Sequence, residues 1–109
     1  MMDILGVHKS TQTFVVEPLN GLTGLDVMAS FPCLLYDRHL YVWVGNTDLR
    51  YFGRSTLMNL INLAEGHEAS DINLMLSSEK VSQYARTMKM IDAERYADNS
   101  GITLYRLEI

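Results

Sequence analysis

The sequence predicts an α/β domain, a mixed central sheet with helices on both faces. Three observations lead there. Leu40-Tyr41-Val42-Trp43-Val44 is apolar on both faces of a strand, which suits a sheet covered by other elements. Beyond it, two segments with apolar residues at helical spacing alternate with β-favouring runs. No repeat or interdomain linker interrupts the 109 residues, so 1–109 reads as a single domain.

The elements follow in order. Met1 to Ser10 reads as a frayed or strand-forming stretch. Thr11 to Glu17 contains Thr13-Phe14-Val15-Val16, rich in β-favouring residues, and Pro18 ends it. Between Leu19 and Ser30 the apolar positions suit a short helix around Gly24 to Ala29, weakened by Gly21 and Gly24. Phe31 to Tyr36 and Leu40 to Val44 are strands. The short polar break Asp37-Arg38-His39 makes them a hairpin. A helix from about Thr56 to Glu65 carries Leu57, Leu60, Ile61 and Ala64 on one stripe, and Gly66 is placed to end it. Asp71 to Leu76 is a strand. Ser77 or Ser78 caps a second helix whose stripe is Val81, Tyr84, Ala85 and Met88. Asp98 to Gly101 is a turn, and Ile102 to Ile109 closes the chain as a strand.

Composition narrows the function. The net charge of −4 argues against a nucleic-acid surface, which neutralises phosphates with a basic face. The single cysteine, Cys33, lies in an apolar run and is expected as a buried thiol in a reducing compartment. The first nine residues lack the apolar core of a signal peptide, and no apolar run reaches membrane-spanning length. The expectation is a cytoplasmic protein that neither enters a membrane nor binds nucleic acid. His8, His39 and His67 have no metal-ligand spacing and read as surface residues. Trp43 reads as core.

The chemically interpretable stretch joins the Leu40–Val44 strand to the following helix: Arg50-Tyr51-Phe52-Gly53-Arg54-Ser55. A helix start carries unpaired N–H donors and partial positive charge, and so suits an anion such as phosphate. The alternative is a tight strand-to-helix turn in which Gly53 only relieves backbone strain. Arg50 and Arg54 are then either phosphate partners or a solvated pair.

These residues also carry a resemblance. Val42 to Ile109 resembles the acyl-CoA N-acyltransferase (GNAT) superfamily, in which a strand leads into an Arg/Gln-x-x-Gly-x-Gly/Ala loop that opens a helix. Arg50 to Ser55 is similar to that loop, with Ser55 at the last small position. Phe14 to Asp26 is similar to the family's first strand and helix start. The resemblance implies that backbone amides from Phe52 to Ser55 hold the pyrophosphate of acetyl-CoA. Arg50, Tyr51, Phe52, Gly53, Arg54 and Ser55 would be the cofactor-binding residues, and an amine would accept the acetyl group. Met88 stands where many members carry a proton-donating tyrosine, and Asp92-Ala93 where they carry Gly-Phe. Tyr84, one turn earlier, and Glu94, with Tyr96 nearby, are the residues left for proton transfer. Their alternatives are a core-facing aromatic and ordinary strand residues.

Two other readings share the sequence. The element order from Arg38 is similar to ornithine decarboxylase antizyme, which has the GNAT fold without the enzyme activity. Arg38-His39-Leu40-Tyr41-Val42 and Ile102-Thr103-Leu104-Tyr105 carry that likeness, and it implies a regulator or inhibitor that binds a partner protein. The short acidic chain also suits a small phage-encoded inhibitor. Cys33 to Gly45 also resembles the two central strands of a gelsolin-like module, although no calcium ligands are recognisable.

Overall fold

The computed structural model describes residues 11–16 and 31–109. Within them lies a mixed six-stranded sheet and two α-helices. The strands are β1 (Thr11–Val16), β2 (Phe31–Tyr36), β3 (His39–Gly45), β4 (Asp71–Ser77), β5 (Glu94–Asn99) and β6 (Ile102–Glu108). The helices are α1 (Arg54–Gly66), between β3 and β4, and α2 (Val81–Met90), between β4 and β5. The sheet order is β1-β2-β3-β4-β6-β5. Only β3 and β4 pair in parallel; the other neighbours are antiparallel.

Local chemistry explains most of this. The β2–β3 hairpin turns on Asp37 and Arg38, both at positive φ (50° and 70°), with Tyr36 opposite His39. Two left-handed residues match the twist of the flanking strands. Parallel β3 and β4 cannot be joined so tightly, and α1 is their crossover. Ser100 (φ 51°) and Gly101 (φ 81°) repeat the left-handed pair between β5 and β6.

The register sorts side chains onto two faces. Leu40, Val42, Ile72, Leu74 and Tyr105 share one face with Phe31, Cys33 and Leu35. Against it pack Leu60 and Ala64 of α1, and Tyr84 and Met88 of α2. The Phe52 ring ties the layers together, edge-on to Phe31 at 5.5 Å and to Tyr84 at 6.0 Å. Each fully buried aliphatic side chain here contributes about 1.5–3 kcal/mol.

Several expectations change. Helices were expected on both faces, yet the two described helices cover the same face. Trp43 was expected in the core but is 44% exposed, because it points away from the helices while Val42 and Val44 point toward them. The β5 strand was missing from the expected order. Glu94-Arg95-Tyr96-Ala97-Asp98-Asn99 has no buried stripe, and it forms an edge strand with a bulge between Arg95 and Ala97. Asp98 and Asn99 therefore belong to a strand rather than to the turn. The second helix begins later than expected: Ser78–Lys80 is a 3₁₀ turn whose capping residue, Ser77, makes no side-chain cap bond. The expected helix at 24–29 and the opening stretch to residue 10 lie outside the described residues.

Candidate functional site

At the end of β3 the ladder to β4 slips. Trp43 faces Met75 and Gly45 faces Leu76, so Val44 is an extra residue in a bulge. Gly45 follows at φ 61°, and a Cβ there would meet the Trp43 indole nitrogen at 2.9 Å. The chain then turns back through Thr47, whose N–H donates to the Val44 carbonyl at 3.2 Å. Asp48 caps a 3₁₀ turn, Leu49–Tyr51, and its carboxylate accepts from the Arg50 N–H.

The first amide of the expected cradle is not free. The Phe52 amide is occupied, donating to the Leu49 carbonyl at 2.9 Å, and the Phe52 side chain is core. Gly53 caps α1 without a side-chain cap bond, and no acidic residue occupies the first turn. The amides of Arg54, Ser55 and Thr56 open the helix and have no carbonyl one turn earlier to bond. Gly53 itself has an ordinary φ of −103°, so it relieves no strain. A Cβ there would meet nothing within 4 Å, so the space over this backbone is open.

A groove of about 470 Å³ runs from this point toward the end of α2, lined by Leu49, Phe52, Gly53, Arg54, Leu57, Thr87, Met90 and Ile91. Of the two arginines, only Arg54 lines it. Arg50 lies over the Tyr51 ring, 4.9 Å from its centre, and Tyr51 packs half-buried against the core. Ser55 is half-buried in the first turn of α1.

The two residues expected to move protons are not brought together. Tyr84 is fully buried, and its hydroxyl donates to the Thr47 carbonyl at 2.7 Å. Burial, with the Asp48 charge adding, pushes this phenol well above its ordinary range. Next to it, Gln83 Oε1 accepts the Leu49 N–H at 2.8 Å. These two α2 side chains hold the β3–α1 loop in place. Met88 is packed in the core. Glu94 lines a separate depression of about 250 Å³ with Asp92, Tyr96, Arg106 and Glu108; Ile91 borders both hollows.

The sheet face away from the helices holds residues that the sequence reading missed. Its rows follow the register. Trp43, Met75, Leu104 and Ala97 form an apolar row. Leu34, Tyr41, Asn73, Arg106 and Glu94 form a mixed one, and Tyr36, His39, Asp71 and Glu108 a polar one. Leu34, Tyr36 and Tyr96 are each about two-fifths exposed, as is Trp43. Beneath them Asp71 and Asn73 are buried but satisfied. Asp71 pairs with His39 at 2.9 Å and accepts from Asn73 Nδ2 at 2.8 Å, and Tyr96 donates to Asn73 Oδ1 at 2.9 Å. The Arg106 guanidinium stacks on Tyr96 at 4.2 Å. Burial raises the Tyr41 phenol, and Tyr96 and Asp71 add to the effect. His39 is thus part of a network and not a lone surface histidine. The signal was present in Pro32, Leu34 and Tyr36, which alternate with Phe31, Cys33 and Leu35.

Among the described residues no group of three or more His, Cys, Asp or Glu side chains could hold a metal ion, and no helix is long and apolar enough to cross a membrane. No family model, curated protein or solved structure matches the chain.

Proposed function

We propose that this chain is a catalytically silent protein of GNAT-like fold that binds and regulates a partner protein, in the manner of ornithine decarboxylase antizyme. The observation that carries the reading is the sheet face away from the helices, where Leu34 and Tyr36 of β2, Trp43 of β3 and Tyr96 of β5 are all exposed. Large aromatic and aliphatic side chains presented on one rigid face are the kind that protein interaction surfaces use. The two residues expected to move protons do not share one hollow. Tyr84 is spent on Thr47, and Glu94 lies beyond Ile91. Sheet order and crossover support the GNAT-like description: a strand, a loop opening a helix, a parallel strand, a second helix and a closing hairpin.

The test is titration of purified ornithine decarboxylase with the chain. Activity should fall stoichiometrically, and Trp43→Asp should weaken the inhibition while the circular dichroism spectrum is unchanged. Undiminished decarboxylase activity at several-fold excess, with no complex on gel filtration, removes the reading.

A second reading, acetyl-CoA-dependent N-acetyl transfer, is favoured by the uncapped start of α1 and the open space over Gly53. A ligand that binds only the folded chain raises its melting temperature. Millimolar coenzyme A should therefore produce a shift, and Gly53→Val should abolish it without loss of fold. No shift with coenzyme A eliminates this second reading.

A further inference from the structure

The groove between α1 and α2 takes no part in the partner-binding reading, and its chemistry differs from that of the open sheet face. Its walls are Leu49, Phe52, Leu57, Met90 and Ile91, with Thr87 and the bare backbone of Gly53 between them. Among the described residues that line it, Arg54 is the one charged residue and none is a carboxylate. Met90 stands at its lip, 77% exposed. Eight lining residues are far fewer than the roughly 20–30 a side that a protein interface uses. A hollow of about 470 Å³ is instead in the range of small-molecule sites.

We propose that this groove binds an anionic amphiphile, a medium-chain fatty carboxylate. Its chain lies along Leu57, Ile91 and Met90, and its headgroup pairs with Arg54. Charge complementarity selects this occupant. The apolar side chains of the described lining disfavour a polar metabolite, an arginine with no carboxylate among the described lining disfavours an amine, and a guanidinium matches one carboxylate in the two-pronged geometry arginine favours. Burying an alkyl chain against these walls provides the affinity, and Arg54 fixes the orientation.

Decanoate is the probe, used below its micelle concentration and compared with decan-1-ol and decyltrimethylammonium. Titration calorimetry should show one saturable decanoate site per chain, with the alcohol and the ammonium each bound at least about tenfold more weakly. Arg54→Gln should reduce decanoate affinity by about tenfold and leave the alcohol unchanged. Met90→Asp, at a side chain exposed enough to leave folding alone, should weaken both. Equal binding of decanoate and decanol overturns the proposal, as does decanoate affinity that survives both substitutions. Displacement of decanoate by acyl-free coenzyme A, at concentrations no higher than those of decanoate, also overturns it and assigns the groove to a diphosphate. None of these outcomes bears on inhibition of the decarboxylase, which is read separately.

Discussion

On the helix-covered face of the sheet, Leu40, Val42, Ile72 and Leu74 are at most 1% exposed; on the other face Trp43, the next residue after Val42, is 44% exposed. One strand thus serves two environments at a period of two residues. The covered face is held by exclusion of water, with aliphatic side chains from three central strands meeting two helices. The open face is held by polar groups that satisfy one another, His39 to Asp71, Asp71 to Asn73 and Asn73 to Tyr96. The first arrangement supplies stability. The second presents a fixed pattern of aromatic and charged side chains, the surface on which the proposed partner binding rests.

The largest test of this contrast sets Leu74→Ala against Trp43→Ala. Denaturant unfolding should show a loss of about 2–5 kcal/mol for the buried leucine, as for other core truncations. Trp43→Ala should cost under about 1 kcal/mol, the range of exposed positions. Equal losses would mean that the second face is packed as tightly as the first. Next comes Asn73→Ala, which strands the Tyr96 hydroxyl and removes a donor from Asp71; about 1–3 kcal/mol should be lost. A neutral Asn73→Ala would show that the polar network does not hold the open face.

Tyr84→Phe probes the single hydroxyl that reaches from the covered face to the β3–α1 loop, and should cost about 1 kcal/mol near neutral pH. Its pH dependence has a definite sign. The folded phenol is raised above its unfolded value of about 10, so the stability it contributes is complete below that pH. That contribution is lost as pH rises past 10 toward the folded value. Melting temperatures of the wild type and Tyr84→Phe should therefore converge above pH 10, and parallel curves would show that the hydroxyl is solvated. The smallest effect belongs to the β2–β3 turn. Arg38→Gly places glycine at φ 70° and should stabilise by about 0.5 kcal/mol, a calibration of how much strain the hairpin stores.

The sequence made the covered face readable because burial leaves a periodic mark. Leu60 and Ala64 lie one turn apart, and Ile72, Leu74 and Leu76 alternate along one strand. The hairpin at Asp37-Arg38 was legible from its length. The β5 strand was not, since an edge strand in contact with water has no apolar alternation to display. Trp43 misled for a related reason: a run apolar on both faces fits a covered sheet and a docking surface equally well. At the loop, the pattern Arg50 to Ser55 located the α1 start, but it could not reveal that Leu49 occupies the Phe52 amide. Nor could spacing alone show that Tyr84 spends its hydroxyl on Thr47, 37 residues away in sequence.

The parallel pairing of β3 with β4 has a kinetic consequence. The β2–β3 and β5–β6 hairpins can each close locally through two-residue turns. Joining β3 to β4 must wait until α1 has spanned the gap, with His39 meeting Asp71 across a sequence separation of 32. Non-local closure of this kind limits folding rate. Substitutions in α1 and at the β3–β4 seam should therefore slow refolding, while those in either hairpin should mainly hasten unfolding.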